Sequence, residues 1–253
     1  MNVRTPIPLE WNTDEGLGSR ARLGLIVLAS DQTLENEIRS LPLPDVAIHH
    51  SRIPNEMHVS EETLTAMRAD LPAAAALLPP VFGFDVIGYG CTSASTLIGD
   101  NGVEQAVQSV HAGVAVTNPI RAAVAAFSAL GAHRIGVVTP YTEAVTLPII
   151  ERFEEDGLTV DAFGSFLIDD DLTVGRLSPA AVTAGLKTVA AHADCDAWFV
   201  SCTSIPLFSY VADLEAQLGA PVVSSNLALA WHLMRLAGIE DQPEGFGRLI
   251  ATC

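Results

Sequence analysis

Short apolar runs rich in valine and isoleucine alternate along the chain with longer segments of helical periodicity. Runs at 22–28, 45–49, 85–89 and 113–116 read as buried strands, and so do 134–138, 158–163, 196–200 and 220–223. Helix punctuation falls between them. Asn118-Pro119 and Ser178-Pro179 each set a capping side chain before a proline at the first helical position. Gly131, Gly157, Gly219 and Gly238 each follow a helical pattern, where a left-handed cap belongs. Strand–helix alternation of this kind predicts parallel sheets covered by helices on both faces.

The pattern also repeats. Arg22-Leu23-Gly24-Leu25-Ile26-Val27 returns as Arg134-Ile135-Gly136-Val137-Val138-Thr139. Asp85 leads to Cys91-Thr92-Ser93 as Asp196 leads to Cys202-Thr203-Ser204, and Val116-Thr117 is echoed by Val223-Ser224. Matches in one order at nearly constant offset predict two similar doubly wound α/β halves related by a pseudo-two-fold axis, with the active site in the cleft between them. The expected division is an N-terminal arm over 1–20, a first half over 21–118 completed by 227–253, and a second half over 119–226.

Composition narrows the function classes. A formal charge of −17 opposes binding to nucleic acid or to an anionic membrane surface. With 49% hydrophobic and 17% charged residues, the chain is globular in type and long enough to form a large core without disulfide or metal staples. Residues 1–20 include Glu10, Asp14 and Glu15 and no apolar run of secretory type, and Pro79-Pro80 interrupts the most apolar stretch. A cytoplasmic protein is expected.

Ligands of open parallel sheets sit at the carboxyl ends of strands. Asp31, Cys91, Asn118, Tyr141, Cys202 and Ser225 all fall just past expected strand ends. Facing halves would bring Cys91 and Cys202 to opposite sides of one cleft, each beside backbone N–H groups able to lower a thiol pKa. Two thiols flanking a small substrate suit three reactions: racemisation, addition–rotation–elimination at a C=C bond, or loss of CO₂ followed by protonation. Each passes through an enolate-like anion, for which Thr92, Ser93, Thr203, Ser204 and the Tyr141 hydroxyl are candidate donors. Asp31 has two readings, a carboxylate facing the cleft or the N-cap of the following helix.

Other features carry less. Cys195 sits at a strand start outside the repeat and reads as structural, and Cys253 is the terminal residue. Gly88-Tyr89-Gly90-Cys91-Thr92-Ser93 only superficially follows a dinucleotide loop, with serine where its third glycine belongs. His49-His50 would point to opposite strand faces, and Asp169-Asp170-Asp171 reads as a solvated acidic loop. No metal site or cofactor is expected. A non-catalytic small-molecule binding protein on the same two-lobed fold is the reading from another class.

The motifs resemble those of the aspartate/glutamate racemase superfamily, in the branch of maleate cis-trans isomerases and arylmalonate decarboxylases, over about 22–249. Val200-Ser201-Cys202 is similar to the second-cysteine motif of maleate isomerases, and Val138-Thr139-Pro140-Tyr141 to their tyrosine motif. The resemblance implies that the Tyr141 hydroxyl binds a substrate carboxylate and that Cys91 is the thiolate added to a double bond. The leading reading is a cofactor-independent isomerase or racemase in which Asn118, Thr92, Ser93, Thr203 and Ser225 contact the carboxylate and the enolate, and the resemblance implies a homo-oligomer acting on a small carboxylate or amino acid. Cys91-Thr92-Ser93-Ala94-Ser95 resembles the decarboxylases' Gly-Thr-Ser-x-Ser loop with cysteine for glycine, but decarboxylases of this branch keep only the second cysteine. Ser30-Asp31 departs from the Ser-Asn of maleate isomerases, and a carboxylate there would favour an ammonium or hydroxyl. Ala29-Ser30-Asp31-Gln32-Thr33 with 89–95 looks closest to members encoded with ectoine-utilisation enzymes, implying a role in ectoine or hydroxyectoine breakdown.

Overall fold

A computed structural model describes residues 6–252; Cys253 lies outside the described residues. The first half opens with β1 (Ala21–Leu28), α1 (Leu34–Arg39), β2 (Val46–Ile53) and α2 (Glu61–Ala76). It continues through β3 (Val86–Gly90), α3 (Thr92–Ile98), α4 (Asp100–Gln108) and β4 (Ala115–Thr117). Helix α5 (Pro119–Leu130) leads into the second alternation: β5 (Arg134–Thr139), α6 (Glu143–Glu155), β6 (Thr159–Ser165), α7 (Asp171–Val174), α8 (Pro179–Ala190) and β7 (Ala197–Val200). The chain ends with α9 (Val211–Leu218), β8 (Val222–Ser224), α10 (Ser225–Leu236) and α11 (Gly247–Ile250).

The two sheets are parallel and of one topology, β2-β1-β3-β4 and β6-β5-β7-β8. All eight expected strands are present, and the internal repeat is the repeat of these sheets. Asp85 and Asp196 explain its acidic member. Asp85 Oδ2 accepts from the Arg22 N–H (2.8 Å) and Asp196 Oδ2 from those of His133 (2.9 Å) and Arg134 (2.8 Å). Each aspartate thus pins the start of the neighbouring central strand, while the cysteine six residues on emerges at the opposite end. Gly24 and Gly136 are the matching close approaches: a Cβ at Gly136 would run into the Trp198 ring, and one at Gly24 into Ile87 at 2.9 Å.

Helices α5 and α10 pack against each other and tie the halves together. Phe127 of α5 meets Phe153 and Phe199 of the second half edge-on, with centroids 6.0 and 6.2 Å away. Leu229 and Leu233 of α10 close over Gly88 of the first sheet. The cap expectations hold in detail. Asn118 Oδ1 accepts from Ile120 and Arg121 N–H (both 3.0 Å), Ser178 Oγ accepts from Ala181 N–H (3.1 Å), and Gly131 and Gly219 close their helices at φ 67° and 73°. Among the described residues no helix is long and apolar enough to cross a membrane.

Candidate active site

The carboxyl ends of β3 and β7 meet at the junction of the halves. Thr203 Oγ1 donates to the Gly90 carbonyl (3.3 Å), Thr92 Oγ1 donates to Ser225 Oγ (2.8 Å), and Thr33 Oγ1 donates to the Ser204 carbonyl (3.0 Å). These buried cross-links leave a small cavity of about 30 Å³ whose wall includes Cys91, Ser93, Tyr141, Asp171, Cys202 and Thr203. Cys91 and Cys202 are each only 4% exposed.

A cover crosses this cavity from both halves. The segment after β2 pairs with the segment after β6: Val59 N–H donates to the Asp169 carbonyl (2.9 Å) and Asp171 N–H to that of Met57 (3.1 Å). Val59, with Leu64 and Met67 of α2, gives the cavity an apolar side. Excluding water in this way strengthens every electrostatic contact inside.

Each thiol is held differently. Cys91 is the N-cap of α3 in extended conformation, 3.8 Å from Ser93 Oγ. Cys202 has φ 95°, a left-handed backbone that non-glycine residues avoid. Its N–H donates to Ser225 Oγ (3.0 Å) and its Sγ accepts from the Ser204 N–H (3.4 Å). The strained turn aims Sγ into the cavity, and the Thr92–Ser225 pair braces it from behind.

The expectation of lowered thiol pKa values is corrected. Burial pushes Cys91 up to about 11 and Cys202 up to about 12, and the Asp171 charge adds to both shifts. The Ala94 N–H and Ser93 hydroxyl at Cys91, and Tyr141 and Ser204 at Cys202, pull the other way without overcoming desolvation. Burial also raises the Tyr141 phenol well above its usual value, so it is a neutral donor beside Cys202 and Ser93.

Of the residues singled out in the sequence, Cys91, Cys202, Ser93, Tyr141 and Thr203 meet on the cavity wall. Five do not line it, among them Ser204, whose hydroxyl donates to Asp171 Oδ1 (2.9 Å). Asp31 takes its capping reading: Oδ1 accepts from Leu34 N–H (3.0 Å) and Oδ2 from Glu35 N–H (3.2 Å) at the start of α1. Asn118 caps α5 and donates from Nδ2 to Asp100 Oδ1 (2.7 Å). Thr92 and Ser225 are spent on each other and on the Cys202 backbone.

Asp171 corrects another expectation. The acidic run is not a solvated loop throughout, because Asp171 is 8% exposed and lies on the cavity wall. The strand-end rule, applied to β6 as it was to β5, would have pointed to this segment. His49 and His50 do face opposite ways, His49 toward Phe82 and Phe84 and His50 toward Glu35. Among the described residues no group of three or more His, Cys, Asp or Glu side chains is placed to hold a metal.

Comparison with known proteins agrees with this architecture. The maleate isomerase of Pseudomonas putida is 29% identical over 247 residues, spanning 91% of this chain and 97% of that protein. The crystal structure of the maleate isomerase Iso from Pseudomonas putida S16 superposes with a TM-score of 0.82 at 27% identity, covering 91% of this chain and 98% of that one. A cysteine-to-serine mutant of the Nocardia farcinica maleate cis-trans isomerase, with a covalently bound succinylcysteine intermediate, gives 0.81 at 25% identity over 91% and 98%. Residues 57–250 match the family described as arylmalonate decarboxylase, and with three-quarters of its length inside that match the chain belongs to this family.

Proposed function

We propose that this protein is a cofactor-independent isomerase or racemase of a small carboxylic acid, in which Cys91 and Cys202 act on opposite sides of the substrate. The observation that carries this reading is the convergence of two repeat-related thiols on one small cavity, with the Tyr141, Ser93 and Thr203 hydroxyls around them. The maleate isomerase relatives support isomerase chemistry, and a thiol from each half sets the chain apart from a one-cysteine decarboxylase site.

As a racemase, one thiolate takes the α-proton while the C–H electron pair moves into the carboxyl group as an enediolate. The other thiol then delivers its proton to the opposite face, so the cysteines exchange protonation states and the reverse turnover resets them. On a C=C bond, the Cys91 thiolate forms a C–S bond at one alkene carbon and the electron pair moves toward the carboxylate of the other. The Cys202 proton quenches that carbon, the new single bond rotates, and deprotonation with C–S cleavage releases the trans isomer. Both routes place negative charge on carboxyl oxygens, where the neutral Tyr141 and Ser93 hydroxyls stabilise it. Thr92, Ser225 and Asn118 hold the scaffold of the two cysteine loops. A role in ectoine or hydroxyectoine breakdown, a cytoplasmic location and a homo-oligomeric assembly belong to the same proposal, each supported by sequence likeness or composition alone.

Proton NMR in D₂O tests it, with the protein added to maleate, both aspartate enantiomers, phenylmalonate and ectoine-derived amino acids. Conversion of maleate to fumarate, or deuterium entering an α-position with the skeleton unchanged, is the expected outcome. Loss of CO₂ from phenylmalonate as the sole reaction would turn the assignment to decarboxylation, and silence across the panel would favour a binding protein.

A further inference from the structure

The two-thiol chemistry gives no task to Asp171 on the cavity wall. Asp171 presents a buried carboxylate to the cavity that holds Cys91 and Cys202. Its Oδ2 accepts from Ser30 Oγ (2.7 Å) and its Oδ1 from Ser204 Oγ (2.9 Å). Carboxylate oxygens carry two lone pairs each, so both retain room for another donor. No arginine or lysine is among the described residues of the wall, and its one basic side chain, His58, faces Asp169 at 3.6 Å. The partners of Asp171 are the Ser30 and Ser204 hydroxyls, and among the described residues no arginine or lysine is paired with it.

A buried anion in a site for acids discriminates between them. A second substrate carboxylate placed beside Asp171 meets like charge at low dielectric, whereas an ammonium group completes an ion pair. We propose that Asp171 is the specificity-determining residue of this site and receives the ammonium group of an amino-acid substrate, selecting it over a dianion of the same skeleton. This rests on the proposed site between the thiols and names its substrate class.

Position supports the assignment. Ser204 gives its hydroxyl to Asp171 and its N–H to Cys202 Sγ (3.4 Å), so an ammonium on Asp171 sits next to Cys202. In an α-amino acid that group is one bond from the carbon whose proton is exchanged. Seating it also offsets the Asp171 charge that helps to keep both thiols protonated. Recognition and activation of the thiols would then share one contact.

Succinate and aspartate differ only in the ammonium group, which makes them the probes. Isothermal titration of the full chain is expected to show one aspartate enantiomer binding at least tenfold tighter than succinate. Asp171→Asn is expected to erase or invert that order, weakening aspartate at least tenfold and tightening succinate. Ser30→Ala, which leaves the carboxylate in place, is expected to keep the wild-type order. Equal affinity of the wild type for the two acids, an unchanged ratio in Asp171→Asn, or binding of neither would overturn the proposal. The wild-type ratio stands even if the variant fails to fold. Because the readout is binding, dispensable thiols would sink the mechanism and leave this result intact.

Discussion

Cys91 and Cys202 show how far burial can work against a nucleophile. With their pKa values pushed up to about 11 and 12, both are thiols in the unliganded protein at neutral pH. The thiolate fraction rises about tenfold for each pH unit below the pKa, so alkylation by iodoacetamide should climb at that slope from pH 7 to 10 with no plateau. A plateau near pH 8 would mean ordinary thiols and contradict the burial account. Cys202 also carries backbone strain at φ 95°. Glycine accepts that conformation, so Cys202→Gly should melt at or above the temperature of Cys202→Ala while being equally inactive. At this scale the sequence was legible where a side chain at a strand end turns into the cleft, as for Cys91, Tyr141 and Cys202. It was silent on which strand-end side chains are consumed by backbone donors. Asp31 and Asn118 also lie past strand ends, yet their side-chain oxygens are engaged by helix N–H groups. Asp171 was read as part of a solvated loop because the segment 166–170 separates it from the end of β6.

Helices and strands account for the positions of those side chains. Asn118 fixes the start of α5 with two N–H contacts, and truncating it leaves both donors without their partner. Asn118→Ala should cost about 1 kcal/mol in urea unfolding, within the range of N-cap deletions. Gly136 lets β5 pass the Trp198 ring of β7, and the parallel pairing of these strands places Gly136 opposite Trp198. Gly136→Ala should therefore destabilise by roughly 1–3 kcal/mol, as overpacking does in a dense core. A neutral result would mean that the ring moves aside freely. Strand positions were legible because fully buried parallel strands are continuous apolar runs. Helix α7 was not, since four residues after a polar loop carry no periodicity.

The whole molecule is held together at the plane where its chemistry happens. Glu37 of α1 shows it best: its Oε1 accepts from the Leu207 (2.5 Å) and Phe208 (2.7 Å) N–H groups, and its Oε2 from Asn226 Nδ2 (2.7 Å). These contacts join the first half to the chain just beyond the Cys202 loop. Glu37→Ala strands three buried donors and should destabilise by about 3 kcal/mol or more, given about 1–3 kcal/mol for each buried group left unsatisfied. A loss under about 0.5 kcal/mol, the scale of an ordinary surface change, would show that the halves do not need this link. The internal repeat made the pseudo-symmetry legible, because equivalent strands need equivalent residues. Cross-links such as Glu37 to Phe208 have no sequence signature, because their partners are 171 positions apart and belong to different repeats.

The central claim is that both thiols are needed, one from each half. Its most direct test is the NMR rate of isomerisation or α-deuteration for the wild type, Cys91→Ala, Cys202→Ala and the double variant, each shown to be folded by circular dichroism. The account predicts that either single variant loses about 10³-fold or more and that the double variant falls little further, because residues acting as a unit are non-additive. A wild-type rate in either single variant would contradict it.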